Sequence, residues 1–328
     1  MSTLRETNHY LDAIAPTPLA PVRLAEDEPI IWCKLEFLNP SGSTKDRIAR
    51  HILGNAWRSG TLRPGGWVVE ASSGSTSIAM ALVCAQLGAR FMAVMPEGVS
   101  NERVLMIRAY GGEVRFSPRA AGMPGAIAES QRVAGELNAF LPRQFDNPEN
   151  ADAHRLHTAP EVLAQIPGGQ VDAIVSGVGT GGTLVGLHAG LAAGGHAVRP
   201  VVARPVQTDR SIDLECCSLA ACPPGFSCRI PGVADCISGI FRNAKLPGLI
   251  ETNVSDEEAM QTTRALIRRG FPVGPSSGLN YRAAVAAYAL LGKADARIVT
   301  VFADRMERYF STELFCMAGA SREEVCQK

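Results

Sequence analysis

Short apolar blocks recur along the chain, separated by stretches with apolar residues at helical spacing. Ile30-Ile31-Trp32-Cys33-Lys34-Leu35-Glu36-Phe37, Trp67 to Glu70, Phe91 to Pro96, Glu113 to Phe116, Val171 to Ser176, His196 to Ala203 and Ala296 to Phe302 have strand length and composition. Helices are expected from the Lys45 region to Gly60, then over 78–87, 100–110, 125–137, 154–165, 184–193, 256–269 and 280–291. Glycines or Gly-Gly pairs stop several of them. The stretches 1–29 and 205–250 read as irregular. Strands alternating with helices predict an α/β protein with mostly parallel twisted sheets, covered on both faces by helices.

Four junctions share one design: a strand end, a Gly/Ser/Thr-rich turn, then a helix start. They are 39–47, 71–77, 177–183 and 274–278, and in open α/β sheets such loops gather where ligands bind. In Asn39-Pro40-Ser41-Gly42-Ser43-Thr44-Lys45-Asp46-Arg47, Ser43 or Thr44 can cap the helix and Asp46 falls in its first turn. Lys45 is then either a solvated lysine at a helix start or a lysine of lowered pKa fit to be a nucleophile. Gly177-Val178-Gly179-Thr180-Gly181-Gly182-Thr183 is either a tight structural turn or a phosphate cradle of inward N–H groups and hydroxyls. It is not a dinucleotide fingerprint, because no acidic residue ends a second strand about 20 residues on, and no lysine makes it a Walker A loop. Ser72, Ser73, Gly74, Ser75 and Thr76 suit a carboxylate or phosphate, although Ser72 or Ser73 can equally cap a helix. Ser276 or Ser277 can cap the helix from 280.

Composition adds exclusions. Thirty-two basic and 32 acidic residues leave no net charge, so nucleic acid is a poor partner. No run of about 18 apolar residues spans a membrane, and the first 16 residues lack the apolar core of a signal peptide, so a cytoplasmic protein is expected. At 328 residues the chain is long enough for two domains or one large α/β unit. Of nine cysteines, Cys33, Cys84 and Cys316 read as buried free thiols. Cys216, Cys217, Cys222, Cys228 and Cys236 crowd one stretch. They are candidates for zinc, an iron–sulfur cluster or a persulfide, but their spacing matches no standard motif and suits loop thiols, free or paired. His154, His157 and His188 fall on expected helices and receive no role.

A reactive lysine, a phosphate cradle and a serine-rich anion loop together suggest pyridoxal phosphate, which acts as an electron sink. These residues resemble the fold-type II pyridoxal-phosphate enzymes, specifically the cysteine synthase (O-acetylserine sulfhydrylase) and cystathionine β-synthase family. The resemblance runs from about Thr17 to Phe315. Residues 39–47 are close to its Schiff-base lysine motif and 177–183 look like its phosphate loop. Gly274-Pro275-Ser276-Ser277-Gly278 resembles the turn whose first serine meets the pyridine nitrogen. Gln144-Phe145 with Asn147-Pro148 resembles its Gln-Phe segment, and Glu307 to Phe315 match its C-terminal signature.

The resemblance implies a tryptophan-synthase-β-like fold with the active site in a cleft between two domains. Residues 1–40 and 150–328 would form the large phosphate-binding domain, and 41–149 a smaller mobile one carrying the carboxylate loop. Lys45 would hold the cofactor and move the α-proton. Ser75, Gly179, Thr180, Gly181, Gly182, Thr183 and Ser276 would bind the cofactor. Ser72, Ser73, Gly74, Thr76 and Gln144 would take the substrate carboxylate. A serine at the pyridine nitrogen favours β-elimination and β-replacement over transamination. The implied activity is replacement through an α-aminoacrylate on O-acetyl-L-serine, L-serine or a related amino acid, with sulfide or another nucleophile, in a homodimer.

Two positions depart from the family. Ser75 stands where an asparagine is usual, and Arg204 replaces a glutamate before Pro205. A β-eliminating lyase (cysteine desulfhydrase or serine/threonine dehydratase) and a non-catalytic homologue that binds a partner or senses metal or redox state are the alternatives.

Overall fold

The strands that read as wholly apolar need cover on both faces, and they receive it in two sheets. The computed structural model describes residues 16–207, 225–234 and 237–315. The larger sheet runs β1(Leu19–Val22), β2(Ile31–Leu35), β9(Ile298–Phe302), β6(Ala173–Gly177), β7(Arg199–Val206), β8(Ile250–Ser255), labelled in chain order. All its pairs are parallel except β1 with β2. The smaller sheet, β3(Trp67–Ala71), β4(Arg90–Pro96) and β5(Glu113–Ser117), is parallel throughout.

The helices are α1(Lys45–Arg58), α2(Ser75–Leu87), α3(Asn101–Ala109), α4(Gly122–Leu137), α5(Glu149–Ala153), α6(Ala159–Gln165), α7(Gly182–Ala193), α8(Gly239–Asn243), α9(Asp256–Arg268) and α10(Pro275–Leu291). Because successive strand side chains point to opposite faces, Ala173, Val175 and Ile298 pack under Ala259 and Leu266 of α9 and Ala283, Ala284 and Ala287 of α10. Their neighbours Ile174, Val299 and Val301 pack on Leu184, Leu187 and Leu191 of α7. In the small sheet Val68, Phe91, Ala93 and Met95 bury against α2, whereas Val69, Ala71 and Val94 bury against α4. Helix α2 is apolar all round because the small sheet, α1 and α3 enclose it.

Four sequence expectations need correction. The lead to residue 29 contains β1, an edge strand in which Pro21 is tolerated because an edge leaves N–H positions unpaired. The stretch expected to be irregular to residue 250 ends where β8 begins, and β8 buries Thr252 and Val254 while Glu251 and Asn253 stay exposed. Its polar half hid the alternation. Strand β7 starts at Arg199 and runs on to Val206; Pro205 has no N–H, but its carbonyl accepts from the N–H of Ser227 at 3.0 Å. The helix expected from His154 opens as a π-turn over His154–Thr158.

Candidate active site

Helix α1 begins at Lys45, and its start is fixed from outside the helix. Of the two expected caps, Thr44 makes no side-chain cap bond, whereas Ser43 Oγ accepts from the Lys45 N–H at 3.3 Å. Asp46 does the closing instead: its carboxylate accepts from the Ser41 N–H at 2.8 Å and from the Ser41 hydroxyl. The segment after β9 stitches the turn down. Thr44 N–H donates to Ala303 O at 2.8 Å, Arg305 N–H to Gly42 O at 3.1 Å, and the buried Arg308 guanidinium to Gly42 O and Ser41 O. One turn into α1, Arg47 pairs with Glu36 at 2.9 Å and with Glu161, which also meets the fully buried Lys34 at 2.7 Å. Burial pushes Glu36 up, but the Arg47 charge and hydrogen bond hold it down at about 2.

Lys45 thus sits on the wall of a cavity of about 400 Å³. Burial lowers its amine pKa; Asp304 and Glu36 oppose that shift and Arg308 adds to it. The same cavity is lined by Ser72, Ser73, Gly74, Ser75, Thr76, Gln144, Gly179, Thr180, Gly181, Thr183 and Ser276. Gly182 lies behind the wall. A Cβ there would overlap Asn150 Oδ1, so glycine lets α7 approach α5. At Gly179 a Cβ would overlap the Gly232 carbonyl, and Gly181, at φ +81°, has Ser238 Oγ 2.7 Å from where a Cβ would lie. These glycines let the cradle pack closely at the start of α7, where the free N–H groups of a helix start favour an anion.

The serine-rich loop holds itself. Ser72 Oγ accepts from Gly74 N–H at 3.0 Å and from Ser77 N–H at 3.2 Å, so Ser72 caps α2 from two residues before Gly74. Thr76 donates to Gln144 Oε1 at 2.6 Å, and Gln144 Nε2 donates to Ala71 O at 2.6 Å. Ser75 donates to Asp304 Oδ2 at 3.2 Å. Ser276 lies inside the first turn of α10, because the helix starts five residues before the expected position, with proline at its first position.

Several residues escaped the sequence pattern: Asp304, which lines the cavity, and Asn150, His154 and Glu70, which hold lining residues from behind. Asp304 also accepts from the Tyr309 hydroxyl at 2.7 Å, and its Oδ1 is buried without a partner. Asn150 bridges Gln144 O at 2.7 Å and Thr180 Oγ1 at 3.0 Å. His154, buried on the π-turn, lies 3.2 Å from Thr183 Oγ1 and 3.0 Å from Thr158 Oγ1. Burial lowers its pKa to about 3, so the ring is neutral. Glu70 accepts from Ala71 N–H at 2.9 Å and Gln144 N–H at 3.2 Å, yet burial pushes it up to about 8. Only the nearness of Asn150 to the Gln144 segment gave a sequence signal; the others depend on contacts far apart in the chain.

Cys228 lines the cavity and is disulfide-bonded, so it offers no thiolate to a metal. Cys216, Cys217, Cys222, Cys236 and Cys316 lie outside the described residues, while Cys33 and Cys84 are buried and free. Among the described residues no group of His, Cys, Asp and Glu could hold a metal ion, and no helix is long and apolar enough to cross a membrane. Arg204 pairs with Glu251 at 2.6 Å, away from the cavity wall.

A desolvated amine, a glycine cradle at a helix start and a serine-rich loop around one cavity define a pyridoxal-phosphate-dependent enzyme. Residues 10–304 match that family, and the chain belongs to it. The chain is 36% identical over 315 residues to the cysteine synthase of Staphylococcus aureus, covering 95% of this chain and 98% of that one. The crystal structure of an O-acetylserine-dependent cystathionine β-synthase from Helicobacter pylori superposes with a TM-score of 0.80 at 30% identity, over 96% and 99% of the chains. A hydrogen-sulfide-producing enzyme from Fusobacterium nucleatum gives 0.84 at 28%, over 98% and 96%. The cavity fits the cofactor: it has the volume of a small-molecule site, a desolvated amine on its wall and a cradle that only glycines can form.

Proposed function

We propose that this enzyme replaces the β-substituent of O-acetyl-L-serine, L-serine or a related amino acid with sulfide or another nucleophile. The observation that carries the reading is the desolvated, half-buried Lys45 amine, sharing one cavity with a phosphate cradle and a serine-rich loop. The cysteine synthase of S. aureus supports it.

Bound pyridoxal phosphate supplies an electron sink for the substrate's α-carbon. Gly179, Thr180, Gly181 and Thr183 would hold its phosphate, with Gly182 giving the clearance, and Ser276 and Ser75 would bind the rest of the cofactor. Lys45 would hold the cofactor and supply the amine that takes the α-proton, because desolvation favours the neutral amine. The Asp304 and Glu36 charges favour the ammonium that results. Ser72, Ser73, Gly74, Thr76 and Gln144 seat the substrate carboxylate. Residues 1–40 and 150–328 form the body that grips the phosphate, and 41–149 form a smaller unit that carries the carboxylate loop and moves against it. A cytoplasmic homodimer completes the reading.

Purified enzyme should show the visible absorbance of bound cofactor, and Lys45→Ala should abolish that band and lower turnover by about 10²–10⁴-fold. With O-acetyl-L-serine and sulfide, cysteine should form faster than pyruvate. Pyruvate released equally fast without any nucleophile would instead make the enzyme a β-eliminating lyase. A protein without the band that turns over no amino acid would be the non-catalytic homologue.

A further inference from the structure

One cavity residue has no place in that scheme. Arg103, in the first turn of α3, is 6% exposed and lines the cavity. Its Nη1 donates to Ser73 O at 3.0 Å, but its Nε is buried without a partner. Its guanidinium carbon lies 5.0 Å from the centre of the Tyr309 ring, a cation–π contact. Among the described residues it forms no ion pair with a carboxylate. Neither acid on the cavity wall pairs with it: Glu97 accepts from Arg119 N–H at 3.3 Å, and Asp304 accepts from Ser75 and Tyr309 through Oδ2 alone.

Burying a cation without a counter-ion is costly, and this one is built in with care. At Gly74, where φ is +146°, a Cβ would overlap the Arg103 side chain. The serine-rich loop is therefore shaped to let this arginine reach the cavity. An arginine with donors left over, nearly buried on a cavity wall, is arranged for an anion from solution.

We propose that Arg103 forms a second anion subsite, which takes a carboxylate other than that of the amino-acid substrate. The group comes from the departing acyl moiety or from the incoming nucleophile, an identity that rests on the replacement reading; the subsite itself does not.

Two measurements on the holoenzyme test it, each with wild type, Arg103→Gln and Arg103→Lys. The first is ¹³C-acetate line broadening by NMR, which needs no turnover and stays readable if the replacement reading fails. Acetate should bind the wild type and lose affinity by roughly tenfold or more in Arg103→Gln. The second is the ratio of kcat/KM for 2-mercaptoacetate to that for 2-mercaptoethanol with O-acetyl-L-serine. Intrinsic thiol reactivity is the same for every variant, and a general loss of activity cancels within each ratio. The ratio should fall by a similar factor in Arg103→Gln. Loss of acetate binding alone assigns the subsite to the leaving group; loss of the thiol preference alone assigns it to the nucleophile. Arg103→Lys keeps the cation and should retain part of both effects, so the test survives if the glutamine variant folds poorly. Unchanged acetate binding together with an unchanged ratio overturns the proposal. So does weaker binding of L-serine with both readouts intact, since Arg103 would then only shape the 71–77 loop.

Discussion

The lysine turn and the serine-rich loop line the same cavity and are built in opposite ways. The turn at 39–47 is clamped by remote groups: Asp46 beneath it, Arg308 and the backbone of 303–305 beside it, and the Glu36–Arg47–Glu161–Lys34 network one turn on. The loop at 71–77 is tied mainly to itself and to Gln144, through hydroxyls that can re-pair. It also touches an arginine with unfilled donors. A group that must meet the same atoms in every turnover gains from rigid support. A loop that must fit one substrate and release another gains from exchangeable partners. Under the proposed function, the reaction falls to the turn and the choice of substrate to the loop.

Breaking the clamp should have the largest effect. Arg47→Met takes from the buried Glu36 its paired cation and leaves Glu161 with Lys34 as its counter-charge, which should cost about 3–5 kcal/mol of unfolding free energy in urea titrations. Gly182→Ala, which drives a methyl into Asn150, should cost about 1–3 kcal/mol and weaken cofactor binding measured by fluorescence titration.

Glu70 sharpens the comparison through pH. Its carboxyl is raised from 4.5 in the free side chain to about 8 in the fold, so the folded state holds a proton that the unfolded chain releases. The stabilisation is complete below about pH 4.5 and is lost as pH rises toward 8. Glu70→Gln should therefore flatten the fall of stability between pH 5 and 8, by up to about 1.4 kcal/mol per pH unit. An identical slope in both proteins counts against a neutral Glu70. Thr76→Val should have the smallest effect. It removes the hydroxyl bond to Gln144, costs about 1 kcal/mol, and should raise the KM for the amino acid while leaving cofactor affinity unchanged.

The two regions also differ in how well the sequence announced them. Asn39-Pro40, Gly42 and the glycines of 177–183 were legible because backbone geometry demands those residue types. The apolar strands and the Ser255 cap, whose hydroxyl accepts from Glu258 N–H at 3.1 Å, were legible for similarly local reasons. Strand β1 was hidden by its prolines and β8 by its exposed polar half. Asp304, Arg103, Glu70 and His154 were hidden for another reason. Each looks ordinary in its own segment and acquires meaning only from the cavity that distant strands bring together.

The bond from Arg308 to Gly42 joins residues 266 positions apart, and Thr44 is tied to Ala303 in the same way. The lysine turn thus waits for residues 303–308 to leave the ribosome. Until then a nascent chain carries Lys45 on a loosely held loop, where its amine stays hydrated and ordinary. Premature termination before residue 303 should therefore yield a product without the reactive amine, however much of the two sheets it has formed.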